Sequence, residues 1–294
     1  MRIGVSTYSF SRLVRSCEMK LIEVIGKAKE LGFDAIEFAT ITAPEGKNLA
    51  DFVGELKAET ERVGIPIAGY STEADFLNVS EENLNAEIER VKRHVDIAEM
   101  LGAPGIRHDA ANGVFPVDWK GAKTFAAALP RIADSCRVVT EYAAAKGIKT
   151  MIENHGYFCQ DSERIEQIVN AVNHENFGVL LDIGNFICAD DNPGIAVGRL
   201  KNYAFHCHAK NFHLKAGSEV YPGTGWNMTR GGNWRRAAII GHGNVPVLQC
   251  LRILAKNDYQ GALSIEFEGI EEVLNGIKLS GENLRRFVNI AQNS

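Results

Sequence analysis

ALSIEFEG (262–269) poses the problem that the rest of the chain has to solve. Ser264, Glu266 and Glu268 share one parity while Leu263, Ile265 and Phe267 share the other, which is the alternation of a strand with one apolar face. A carboxylate inside such a run is costly to bury unless a metal or a cationic side chain compensates it. Three earlier runs repeat the oddity: KTMIEN (149–154), FGVLLDIGN (177–185) and YAFHCHAKNF (203–212). Each is apolar and strand-like, and each carries a metal-type side chain near its C-terminal end: Glu153, Asp182 and His208. Four strand ends converging on one cation account for all four.

Working outward, strand-like runs begin near residues 2, 34, 66, 105, 149, 177, 203 and 262. Between them lie stretches of helical periodicity that stop at glycine: LIEVIGKAKELG ends at Gly32, LADFVGELKAETERVG at Gly64, and ENLNAEIERVKRHVDIAEMLG at Gly102. A fourth, GAKTFAAALPRIADSCRVVTEYAAAKG, ends at Gly147 and carries Pro130, which predicts a kink or a division of that helix. Strand alternating with helix eight times gives a parallel sheet with right-handed crossovers, and eight units suit a closed (β/α)8 barrel. An open Rossmann-type sheet would want G-x-G-x-x-G after an early strand, and the chain has none. No linker or low-complexity tract divides residues 1–294, so one domain is expected.

A barrel of this kind builds its site at the C-terminal mouth. Besides the four metal-type residues, strand ends offer Thr7, Tyr8 and Ser9, Tyr70 and Ser71, and Arg107 with His108. Glu37, in DAIEFA, is either a substrate contact or one half of an ion pair to a neighbouring strand. In AFHCHAK, His206, His208 and Lys210 alternate, placing His206 one layer below His208 and Lys210 further out. Three carboxylates and one imidazole suit Mn²⁺ first, with Mg²⁺, Co²⁺ or Zn²⁺ as alternatives, and leave positions for substrate oxygens. The stretch from His213 to Asn244 shows no clear element, and loops this long are commonly functional. Trp226, Trp234, Arg230, Arg235 and Arg236 within it suggest a lid that stacks on a sugar ring, with an inter-subunit clamp in a homo-oligomer as the rival reading.

Composition excludes other classes. The net charge of −5, without blocks of like charge, argues against a nucleic-acid or anionic-membrane partner. The six cysteines are scattered without zinc-finger spacing and read as reduced, buried thiols. MRIGVSTYSF is strand-like rather than a signal pattern, and no apolar run is long enough to span a bilayer, so a cytoplasmic location is expected.

From STYSF and ELGFDAIEF through IEN, LLDIGN and HAKN to GHGNVP and IEFEG, the chain resembles the xylose isomerase-like TIM barrels, the sugar phosphate isomerase/epimerase group. That resemblance implies metal ligation by Glu153, Asp182, His208 and Glu266, with Glu153 and Glu266 also exchanging protons beside a sugar carbonyl. It implies a small sugar or cyclitol substrate, met by Arg107, His155, Lys210 and the residue at position 185. The ketohexose 3-epimerase branch departs from this chain at three places: its substrate-binding His is here Asn185, its second Glu is Cys159, and its Arg is Leu214. A sugar isomerase or epimerase working through an enediolate is the first expectation, and a dehydratase or lyase on a keto-sugar or inosose is the second. An abasic-site endonuclease, whose relatives share the barrel, would want extra histidines where Tyr70 and Asn185 stand.

Overall fold

The computed structural model describes all 294 residues, Met1–Ser294. Eight parallel strands close a barrel in sequence order: β1 (Arg2–Ser6), β2 (Ala35–Phe38), β3 (Ile67–Thr72), β4 (Gly105–His108), β5 (Lys149–Glu153), β6 (Phe177–Asp182), β7 (Ala204–Ala209) and the eighth, β11 (Ala262–Ile265), which pairs back onto β1. Every strand starts within a residue or so of its expected position. Helices α1 (Ser11–Arg15), α2 (Leu21–Glu30), α3 (Leu49–Val63), α4 (Leu84–Leu101), α5 (Phe125–Ala144), α6 (Ser162–Val172), α7 (Pro193–Leu200), α8 (Val247–Lys256) and α9 (Val273–Gln292) surround it. None of them is long and apolar enough to cross a membrane.

The helices begin and end where side-chain chemistry permits. Asn48, Thr124, Asp161 and Asn192 accept the free N-terminal amides of α3, α5, α6 and α7, and Pro193 occupies the first turn of α7. Gly64 and Gly102 close α3 and α4 with φ of 70° and 74°, a left-handed conformation that costs glycine nothing. Pro130 does not divide α5, which runs unbroken over 20 residues; this overturns the expected division.

Most of the hydrophobic core lies between the barrel and the helices, where Val5, Ile36, Phe38, Ile106, Leu181, Leu263 and Ile265 are buried. Residues of the opposite parity face the barrel axis, and there small or polar side chains stand: Ala35 and Glu37, Ala262 and Ser264, His206 and His208. Cys207 faces the helix layer, as its parity requires. Register sets the heights at the mouth. Asp182 pairs with His208, and His208 with Ser264, so Glu266 follows two residues beyond the same level.

Two expectations about strands need correction. The eighth strand stops at Ile265 and not at residue 269, because the Phe267 amide turns to the Ser9 hydroxyl at 2.9 Å. The segment 213–244 is not a featureless loop. Strands β8 (Asn211–Lys215), β9 (Asn227–Met228) and β10 (Trp234–Ala238) form an antiparallel sheet, with five residue pairs between β8 and β10.

Beyond Asp182 the chain turns at Gly184 against the end of β7. A β-carbon there would sit 2.8 Å from the Lys210 carbonyl oxygen and 2.9 Å from the Lys210 β-carbon. Neither neighbour can retreat without moving β7. Gly184→Ala is therefore expected to destabilise the protein by about 1–3 kcal/mol, read in a thermal melt as a fall in Tm of roughly 2–8 °C.

Candidate metal centre

Glu153 and Asp182 are the last residues of β5 and β6, His208 is the penultimate residue of β7, and Glu266 is the first residue past β11. One ligand atom from each lies within 4.8 Å of the other three. Glu153, Asp182 and His208 are buried, and the Glu266 side chain is 13% exposed.

The second atom of each group is fixed elsewhere. Asp182 Oδ1 accepts the amides of Gly184 at 2.7 Å and Asn185 at 3.0 Å. Glu153 Oε1 accepts the Asn185 amide group at 3.0 Å, and Oε2 is ion-paired to Arg107. Glu266 Oε2 lies 2.5 Å from Lys210 Nζ. His208 Nε2 lies 2.9 and 3.0 Å from the two Glu37 oxygens. Two buried atoms remain without a hydrogen bond: Asp182 Oδ2 and His208 Nδ1. They lie 4.0 Å apart, and His208 Nδ1 is 3.6 Å from Glu153 and 3.8 Å from Glu266. These separations are too long for hydrogen bonds and suit ligands around one divalent cation. The donor set, three carboxylates and an imidazole without thiolate, fits a hard or borderline ion such as Mn²⁺ or Mg²⁺.

Charge on the bare side chains shows the same tension. Burial pushes Asp182 up to about 6, with Lys210 opposing and Glu153 and Glu266 adding to the rise. Burial would raise Glu153 too, but Arg107 and His208 hold it well below the usual carboxylate range. Burial would lower His208 and Lys210, yet the surrounding carboxylates lift both well above their ordinary values. The cluster thus gathers positive charge from whatever is near.

Above it opens a cavity of about 510 Å³. Glu153, His208, Glu266, Arg107, His155 and Lys210 stand on its wall, as the sequence suggested. Lys210 reaches Glu266, Glu268 at 3.0 Å and Asp182 at 3.4 Å. Arg107 bridges Glu153 and Asp109, and the same Asp109 oxygen is 3.0 Å from His155 Nδ1. Thr7 and Tyr8 line the side towards β1.

Three candidate contacts are not on that wall. Glu37 is 1% exposed and bonds Ser71, His206 and His208, so the ion-pair alternative describes it, although its imidazole partners lie across the barrel on β7. Asn185 is buried, giving its amide to Glu153 and its carbonyl to Gln160. Trp226 lies under Arg236, whose guanidinium is 5.2 Å from its ring. The other arginines of the segment are also engaged, Arg230 with Asp161 at 2.8 Å and Arg235 over Phe212 at 5.0 Å. No residue of 213–244 reaches the cavity wall, so the expected lid is not formed.

Asp109, Glu268 and Asn154 were not singled out as site residues by sequence. Asn154 exchanges two 2.9 Å hydrogen bonds with the Asp182 backbone, extending the β5–β6 ladder by a side chain and levelling Glu153 with Asp182. Its signal was its place beside Glu153 in IEN. Asp109 follows Arg107 and His108 directly, and Glu268 shares the parity of Glu266.

Known proteins fit this picture. The family model described as xylose isomerase-like TIM barrel matches residues 25–289. The structure of an L-ribulose 3-epimerase superposes with a TM-score of 0.73 at 15% identity, covering 99% of this chain and 96% of that one. A D-psicose 3-epimerase from Clostridium cellulolyticum, bound to D-tagatose, gives 0.71 at 18% identity over 99% of each chain. Inosose dehydratase of Clostridium botulinum is 26% identical over 151 residues, 50% of this chain and 49% of that relative, so the match spans about half its length. At these identities the solved structures speak for the fold, while the family model covers nearly the whole barrel. The chain belongs to the xylose isomerase-like TIM barrel family.

Proposed function

We propose that this protein is a divalent-metal-dependent sugar isomerase or epimerase that moves a proton at the carbon beside a carbonyl. The observation that carries the reading is the convergence of Glu153, Asp182, His208 and Glu266, with Asp182 Oδ2 and His208 Nδ1 buried and without a hydrogen bond. A bound cation would supply Lewis acidity, polarising the carbonyl and acidifying the adjacent C–H. The chain supplies the rest. Glu153 and Glu266 stand on the cavity wall from strands three apart around the barrel, so one can take a proton while the other returns one to the opposite face. Arg107 and Lys210 hold their second oxygens in place, and Lys210 can steady negative charge developing on a substrate oxygen.

A second reading, a dehydratase or lyase, draws on the Asp109–His155 pair and on the likeness to inosose dehydratase. There one glutamate would take the proton beside a ketone, and protonated His155 would give its proton to a departing β-hydroxyl, which leaves as water. An abasic-site endonuclease fits less well. Five carboxylates (Glu153, Asp182, Glu266, Glu268 and Asp109) outnumber Arg107, Lys210 and a protonated His155, and a phosphodiester backbone would meet no surplus of positive charge even with a divalent cation present.

Metal binding is read most directly by stability. Stripped protein given Mn²⁺ at about 100 times its Kd should gain about 2.7 kcal/mol, a rise in Tm of roughly 5–10 °C that EDTA reverses; an unchanged Tm together with no Mn²⁺ bound at equilibrium would sink the metal reading. The same excess of carboxylates predicts that a neutral keto-sugar or cyclitol binds more tightly than its phosphate ester, with calorimetric titration of matched pairs as the check. For the chemistry, turnover in deuterated water should place deuterium beside the carbonyl, or release water with an unsaturated product if the lyase reading is right. Glu153→Gln and Glu266→Gln, each verified as metal-loaded, should bind substrate and lose turnover by roughly 100-fold or more.

A further inference from the structure

Glu37 is 1% exposed and does not line the cavity, standing behind Ser71 and His208, which do. A charged carboxylate in the middle of a barrel needs a reason to be present. Its oxygens are fully engaged: Oε1 accepts from Ser71 Oγ at 2.6 Å and His208 Nε2 at 3.0 Å, and Oε2 from His206 Nε2 at 2.8 Å and His208 Nε2 at 2.9 Å. A carboxylate with imidazoles at that distance accepts their protons, so both histidines carry hydrogen on Nε2. His206 shares its Nε2 with the Ser264 hydroxyl at 2.9 Å, which anchors the pair from the eighth strand.

The consequence falls on His208. Its Nε2 faces down to Glu37 and its Nδ1 faces up, unpartnered, into the three carboxylates. With one proton held below, a cation that displaces the proton favoured above by the carboxylates would meet the Nδ1 lone pair, and turning the ring would exchange both nitrogens for carbons. Resting on the metal reading above, we infer that Glu37 is a positioning residue for the metal centre: it fixes the His208 tautomer and ring plane so that Nδ1 is the donor atom. Its negative charge also strengthens that lone pair, as carboxylates behind metal-binding imidazoles do. His206 and Ser71 complete the device by holding both Glu37 oxygens. This arrangement uses β2, β3, β7 and β11 behind a centre whose ligands stand at the ends of β5, β6, β7 and β11.

The test compares Mn²⁺ affinity by calorimetric titration of metal-stripped wild type, Glu37→Gln and Glu37→Asp, with thermal melts of the stripped proteins to separate folding from binding. Glu37→Gln should weaken Mn²⁺ by about 10–100-fold. Glu37→Asp keeps the charge but draws it back by one methylene, and it should weaken binding as well, because position and not charge alone is at work. A readout that needs no variant is the imidazole ¹⁵N spectrum of Mg²⁺-loaded wild type, where His208 should show hydrogen on Nε2 and none on Nδ1. Unchanged Mn²⁺ affinity in both folded variants, or a loaded His208 with its proton on Nδ1, overturns the positioning role while leaving the metal reading intact. Wild type that binds no Mn²⁺ removes the metal reading, and the inference with it.

Discussion

Three carboxylates brought within 4.8 Å of one another are the constraint on which the rest of this molecule depends. Their mutual repulsion in a buried setting is a large unfavourable term that a flexible chain would relieve by swinging them apart. The barrel denies that relief because each carboxylate sits at or just past the end of a strand whose register is set by ladder bonds on both sides. Asn154 and the turn at Gly184 lock two of the ends, and the ion pairs to Arg107 and Lys210 screen the outer oxygens. What remains is a rigid concentration of negative charge at one point, which is how a protein sets up affinity for a cation before the cation arrives.

The interior polarity follows from the same constraint. A barrel that needed only stability would fill its axis with Val, Ile and Leu. Here the apolar material is moved outward to the helix layer, and the axis near the mouth holds Glu37, His206, His208 and Ser264 in one connected network. Such networks are stable only when complete, since an unpaired member costs more than the network returns. In this network the one buried atom left without a hydrogen bond is His208 Nδ1, which points into the cluster. The stability given up along the axis is the physical signature of a site.

The barrel and the convergence of four metal-type side chains were legible because they rest on periodicity, and period-2 alternation survives wherever one face must be apolar. The strand starts and the heights of Glu153, Asp182, His208 and Glu266 followed from counting. The sheet at 211–238 was not legible: WRRAA carries an arginine on each face, and NFHLK, although it alternates, begins one residue after Lys210 leaves β7 and so reads as the tail of that strand. Pro130 lies within α5 without dividing it, so of the kink or division its chemistry suggests the division does not occur. Glu37 had two readings of equal standing, and no local pattern can tell whether an inward carboxylate looks up to solvent or across to histidines 169 and 171 residues away.

Recognition separates cleanly from the metal core. The three places where the ketohexose branch would put recognition residues are structural here: Asn185 buttresses Glu153, Cys159 is buried at 1% exposure, and Leu214 has moved out into β8. With those positions spent and the 213–244 segment folded on itself, the cavity draws its distinguishing groups from Thr7 and Tyr8 after β1, Thr72 at the end of β3, Asp109 after β4 and His155 after β5. That set holds a hydroxyl-rich face on one side and an Asp–His pair on the other. In the reading proposed above, substrate choice falls to the β1–β5 side of the mouth, while the candidate metal ligands stand at the ends of β5, β6, β7 and β11.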